Sequence, residues 1–88
     1  MTRKADFLMQ KVGGEHLLVP LGAEVLNLNG LITLNDTAAH VWELLAGRHD
    51  VDSLAAGVAA KFDVAPDAAR VDVQALVDEM SRLGLLDA

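Results

Sequence analysis

Cysteine is missing from all 88 residues. Its absence excludes a disulfide framework, a thiolate metal site and a thiol nucleophile. Aromatic side chains are nearly absent as well, being limited to Phe7, Trp42 and Phe62. Leu, Val and Ala must therefore fill the core, drawn from an apolar fraction of 52%. A chain of this length stands close to the lower size at which one core holds unaided, and a stability on the order of 5 kcal/mol is expected. No apolar run approaches the ~20 residues of a membrane span. The start, Met1-Thr2-Arg3-Lys4-Ala5-Asp6, lacks the apolar h-region of a secretory signal. A cytoplasmic location with no membrane partner is the expectation. Basic residues are also scarce: 7 Lys and Arg face 13 Asp and Glu, for a net charge of −6. Such a field repels polyanions, which argues against nucleic acid as a partner.

The residues present divide the chain by period. Phe7 to Val12 and Glu15 to Val19 read as strands joined by the hairpin signal Gly13-Gly14, with Pro20 as a stop. After a turn at Leu21-Gly22-Ala23, the stretches 24–28 and 31–34 flank Asn29-Gly30, a second hairpin signal. The stretch 24–28 is either a paired strand or an extended loop. From Asn35-Asp36-Thr37 onward the spacing becomes helical. Ala38, Val41, Trp42 and Leu45 define a helix over about 36–46, ended by Gly47. Asp50 caps a second helix over 51–62, with Val51, Leu54, Val58 and Phe62 on one face. Gly57 inside it costs roughly 1 kcal/mol against Ala, which points to close approach of a neighbouring backbone. Pro66-Asp67 opens a third helix over about 67–83, with Ala69, Val73, Leu76, Met80 and Leu83 as its apolar stripe and Val77 on the shoulder. Gly84 is a left-handed cap from which Leu85-Leu86 folds back. The expected fold is α+β and winged-helix-like: an N-terminal three- or four-stranded antiparallel sheet followed by three helices, in one domain over 1–88.

Chemistry-bearing constellations are few. His16, His40 and His49 do not share the spacing that three or four converging metal ligands need. No triad, phosphate loop or paired acids in a cleft stand out, so no catalytic residue, metal or cofactor is assigned. Asp50 and Asp52 belong to a helix start. Asp78, Glu79 and Arg82 read as a solvated face with a helical ion pair. Asp52-Ser53-Leu54 is similar to the site at which carrier proteins receive phosphopantetheine, but a carrier is a helical bundle and this N-terminal third is rich in strand and turn signals. A carrier modified on Ser53 is one alternative. A winged-helix DNA-binding regulator is another, weakened by a third helix carrying Arg70 and Arg82 against Asp67, Asp72, Asp78 and Glu79. The strand 31–34 stands out differently: it has neither charge nor proline, the usual devices that blunt a sheet edge. An unblunted edge beside a helix can accept an incoming strand.

Asn29-Gly30-Leu31-Ile32-Thr33-Leu34-Asn35, Ala38-Ala39 and Trp42-Glu43-Leu44-Leu45 together resemble the middle of the PqqD-like family, named for pyrroloquinoline quinone biosynthesis protein D. Ala69-Arg70-Val71-Asp72-Val73, Leu76-Val77 and Leu83-Gly84-Leu85-Leu86 are similar to its ending. The likeness spans nearly the whole chain, and its specificity lies in the order and spacing of blocks that are individually mostly apolar. It implies three strands followed by three helices, and a non-catalytic peptide-recognition element. Such a domain binds the leader of a ribosomally made precursor peptide as an added strand between its third strand and third helix. It presents that peptide to a modifying enzyme, often a radical S-adenosylmethionine enzyme. On this sequence the strand side would be Leu31, Ile32, Thr33 and Leu34. The helix side would be Arg70, Gln74, Val77 and Ser81, with Arg70 available to an acidic leader residue. If 24–28 supplies the third strand instead, the groove moves with it. Quinone, lasso and other modified-peptide pathways are all open, as are a monomer and a strand-exchanged dimer.

Overall fold

The computed structural model describes residues 1–21 and 32–87. The stretch 24–28, the Asn29-Gly30 turn and Leu31 lie outside the described residues. Among the described residues five strands and three helices follow one another as β1 (Thr2–Arg3), β2 (Phe7–Val12), β3 (Glu15–Pro20), β4 (Ile32–Leu34), α1 (Asp36–Leu44), α2 (Val51–Phe62), α3 (Pro66–Arg82) and β5 (Leu86–Asp87). The main sheet has the order β2-β3-β4 and is antiparallel throughout. The expected α+β order of strands followed by three helices is therefore present. The short β1–β5 pair, which ties the two ends of the chain together, had no signal in the sequence. Two-residue strands are too short to show a period.

Local chemistry accounts for the element ends. Gly13 and Gly14 both take positive φ (58° and 85°), as a tight two-residue hairpin turn requires. The Asn35 side chain accepts from the Ala38 N–H at 2.8 Å and starts α1. That helix ends at Leu44, two residues before the expected position. Ala46 and Gly47 donate to the carbonyls of Glu43 and Leu44, so the chain tightens into a turn of shorter pitch. At the start of α2, Asp50 and Ser53 form a reciprocal capping box. Helix α3 opens with Pro66 at its first position. It closes with a Schellman motif: Leu85 N–H donates to the Met80 carbonyl at 3.0 Å and Gly84 N–H to that of Ser81 at 3.1 Å, with Gly84 at φ 76°. The motif turns the chain back, so that Leu85 is fully buried and β5 meets β1.

The inner face of the sheet carries Phe7, Met9, Leu18, Pro20, Ile32 and Leu34, paired across strands in that alternation, and the helices pack on it. Trp42 lies at the centre, 1% exposed, with Phe7 edge-on at a centroid distance of 6.3 Å. The Arg3 guanidinium sits 5.6 Å from the indole ring centroid and donates to the Trp42 carbonyl at 3.1 Å. Gly57 does mark a close approach, though to a side chain and not to backbone. A Cβ there would fall 2.7 Å from Leu44 Cδ1. No described helix is long and apolar enough to cross a membrane.

Two outcomes follow. Trp42→Ala should remove about 3–5 kcal/mol, most of the stability of so small a domain, and urea denaturation followed by far-UV circular dichroism should show a midpoint lowered to near zero denaturant, with an unfolded fraction already present in water. The Asp50 carboxyl is held below its ordinary value of 3.8, first by the Ser53 backbone N–H and then by the Ser53 hydroxyl. A lowered carboxylate contributes stability above its unfolded value, and this is lost as pH falls through the folded one. Asp50→Asn preserves the cap but not the charge, so its urea midpoint should fall less steeply than the wild type's below about pH 4.

Candidate functional site

Strand β4 pairs with β3 through Ile32↔Leu18, Thr33↔Leu17 and Leu34↔His16, and among the described residues no strand pairs with its other side. A strand side without a partner can bond to an incoming chain. Beside that edge runs a groove of about 240 Å³, walled by Ile32, Thr33, Leu34 and Asn35 on one side and by Leu76, Glu79, Met80 and Leu83 on the other. It continues past Asn35 and Leu76 into a wider, more polar depression of about 460 Å³ that adds Thr37, Asp72 and Ala75. Just past the carboxyl end of β4, Asn35 and Thr37 share that depression with Asp72, Ala75 and Leu76 from the middle of α3.

The helix wall comes from the phase of the apolar stripe on α3. Ala69, Val73, Val77 and Met80 are buried, while Leu76 and Leu83 are only half-buried. The sequence favoured Leu76 for the core and Val77 for the shoulder, and the structure exchanges them. Positions 76 and 77 lie at three and four residues from Val73, and either spacing fits a helix. The exchange turns the shoulder carrying Asp72, Leu76, Glu79 and Leu83 toward β4.

The expected site residues divide accordingly. Ile32 and Thr33 line the groove, Ile32 half-buried and Thr33 exposed, and Leu34 contributes a largely buried floor. Leu31 lies outside the described residues. Val77, expected on the groove flank, is packed in the core. Arg70 and Gln74 line a separate depression on the outer side of α3 with Val71, Ala75 and Asp78, and Ser81 is exposed. Arg70 is turned toward α2, where it forms an ion pair with Asp52, and Gln74 donates to Asp78 at 3.0 Å. Leu76, Glu79 and Leu83 are the groove residues that sequence reasoning placed elsewhere. No signal in the sequence distinguished them, because a helical stripe through Val73 accepts either Leu76 or Val77.

Electrostatically the groove is acidic. Glu79 receives two hydrogen bonds from Arg82, at 2.9 and 2.5 Å, and that partner lowers its carboxyl below the ordinary value. Asp72 has no ion-pair partner among the described residues.

A second depression, of about 260 Å³, is lined by His16 and His40 with Lys11, Asp36, Glu43 and Lys61. His16 contacts Asp36 at 3.0 Å, His40 lies 4.0 Å from Glu43 and edge-on to Phe62, and His49 contacts Ser53 at 3.0 Å. Among the described residues no three His, Cys, Asp or Glu are grouped to hold a metal ion. The Ser53 hydroxyl, the attachment point in the carrier alternative, is engaged in the α2 cap.

An antiparallel sheet that ends in β4 among the described residues, flanked by a half-apolar shoulder of α3, defines a small α+β domain. The chain belongs to the family described as Coenzyme PQQ synthesis protein D (PqqD), which it matches over residues 15–86. Two solved structures share the fold. One is described as TbiB1 in complex with the TbiA(beta) leader peptide, with a TM-score of 0.76 at 15% identity, covering 100% of this chain and 96% of that one. The other is a lasso peptide synthetase B1 complexed with the leader peptide, with a TM-score of 0.71 at 22% identity, covering 94% and 92%. No curated protein matches the sequence.

The stripe assignment is open to a direct check. A carboxylate at a buried position is costly, and at a half-exposed one much less so. Val77→Asp should abolish the folded far-UV spectrum, whereas Leu76→Asp should retain it with a modestly lowered melting temperature.

Proposed function

We propose that this chain captures an extended leader segment of a ribosomally made precursor peptide as an added strand on β4, and presents it to a separate modifying enzyme without doing chemistry itself. The observation that carries the reading is the outer side of β4, without a strand partner among the described residues, set beside the half-apolar shoulder of α3. Membership of the PqqD family and the two leader-bound structures of similar fold support it. In the PqqD-like family such an enzyme is often, though not always, of the radical S-adenosylmethionine kind.

Magnitudes say how the peptide is held. Strand β4 spans three residues, and about half of its backbone groups point away from β3. Roughly three added hydrogen bonds at ~1 kcal/mol net give about 3 kcal/mol. Micromolar binding needs about 8 kcal/mol. The difference falls to apolar peptide side chains packing on Ile32, Leu76 and Leu83, each worth about 1.5–3 kcal/mol when fully buried. The backbone sets the register and the groove supplies most of the affinity.

The test is titration of isotopically labelled protein with the leader of the precursor encoded beside its gene. Amide shifts should concentrate at Ile32–Leu34 and along the 72–83 shoulder. Leu83→Asp should weaken binding at least about tenfold, the scale of one lost apolar anchor. Shifts centred on Arg70, Gln74 and Ser81 would put the peptide on the outer side of α3. No shift anywhere would refute the role.

A further inference from the structure

The groove has a direction and a charge that nothing in the family match specifies. Its apolar part lies between Leu76 and Leu83, seven residues or ~10 Å apart along the helix axis. Asp72 stands one turn beyond Leu76, ~6 Å further, in the wider depression with Asn35 and Thr37. Side chains on one face of a strand recur every ~6.7 Å. An added strand that packs an apolar side chain near Leu76 thus brings its next same-face side chain to Asp72.

The chemistry there favours a cation. Both arginines of α3 are already paired, Arg70 with Asp52 and Arg82 with Glu79. Asp36, in the neighbouring first turn of α1, is paired with His16. The side-chain oxygen of Asn35 is engaged by the Ala38 N–H. Asp72 is left as the carboxylate lining this end of the groove with no cation opposite it among the described residues. The net charge of −6 adds a background attraction for basic segments.

We infer that the groove selects a peptide carrying Lys or Arg two residues from an apolar anchor, the cation facing Asp72 and the anchor seated near Leu76. Every neighbouring pair in the main sheet is antiparallel, and an antiparallel addition to β4 puts the basic residue on the amino-terminal side of the anchor. This specificity rests on the strand-capture reading above and reverses the acidic partner expected for Arg70.

The experiment pans a random peptide display library against the wild type, Asp72→Lys and Leu76→Asp, followed by binding of a synthetic Lys/Glu peptide pair taken from the selected consensus. The wild type should enrich Lys or Arg two residues before an apolar residue, and Asp72→Lys should enrich Asp or Glu at that same position. The Lys peptide should bind the wild type roughly fivefold tighter than its Glu counterpart, the upper range of a solvent-exposed pair. That gap should shrink in about 0.5 M salt, where charges are screened within a few ångströms. If the wild type and Asp72→Lys select the same apolar pattern with no charge preference, the charge selection is overturned and strand capture stands. If the wild type enriches nothing, or Leu76→Asp selects as the wild type does, strand capture at this groove falls and the selectivity with it.

Discussion

Burial of Trp42 is the constraint to which the other elements are fitted. With three aromatics in the chain, the domain concentrates its largest contact area in one indole. That indole is closed in by Phe7 from the sheet and by the Arg3 guanidinium from β1. Because Arg3 also bonds the Trp42 carbonyl, and its own N–H bonds the Leu45 carbonyl, β1 is held against the end of α1. Strand β5 then has a partner, and the Schellman turn that delivers it fixes where α3 must end. The position of α3 over the sheet, and hence the width of the groove beside β4, depends on this chain of contacts. A loss at Trp42 would therefore reach the groove through packing, with no groove residue altered.

Features governed by short-range chemistry were legible in the sequence. Gly13-Gly14, Asn35, Asp50, Pro66 and Gly84 each mark an element end because a turn or cap needs that residue type locally. The three helices fall within two residues of where such signals put them. What could not be read was phase. Val73 followed by either Leu76 or Val77 is a good helical stripe, and only packing against α2 and the sheet decides between them. That single choice turns the helix shoulder and sends Arg70 and Gln74 outward while Leu76 and Glu79 face β4. Of the groove walls, the strand side at Ile32–Leu34 could be read from its lack of charge, and the helix side could not, because periodicity is degenerate. The β1–β5 pair shows a second limit, since its partners lie at opposite ends of the sequence and each is too short to carry a pattern.

The groove also shows how one helix serves core and surface together. A stripe confined to Ala69, Val73, Val77 and Met80 faces the interior. Leu76 and Leu83 are then left half-buried along the sheet. Half-burial keeps the cost of exposure small in the free protein while reserving apolar area for a ligand. Glu79 and Asp72 between and beyond them keep that strip from becoming a continuous apolar patch.

In the proposed role, the shortness of β4 bears on turnover as well as on affinity. A long edge would bind through many backbone bonds and release slowly. With roughly three bonds and two or three apolar anchors, a dissociation constant in the micromolar range is expected. At an ordinary association rate of about 10⁶ M⁻¹s⁻¹ this gives release on the order of once per second or faster. A presenting domain must let its peptide go once the partner enzyme has acted, so a three-residue edge suits transfer better than storage. Selectivity must then come from side chains, which can discriminate among peptides without adding backbone bonds that would slow release. An unpaired carboxylate at one end of the groove and a pair of leucines along it provide that discrimination at little cost in residence time.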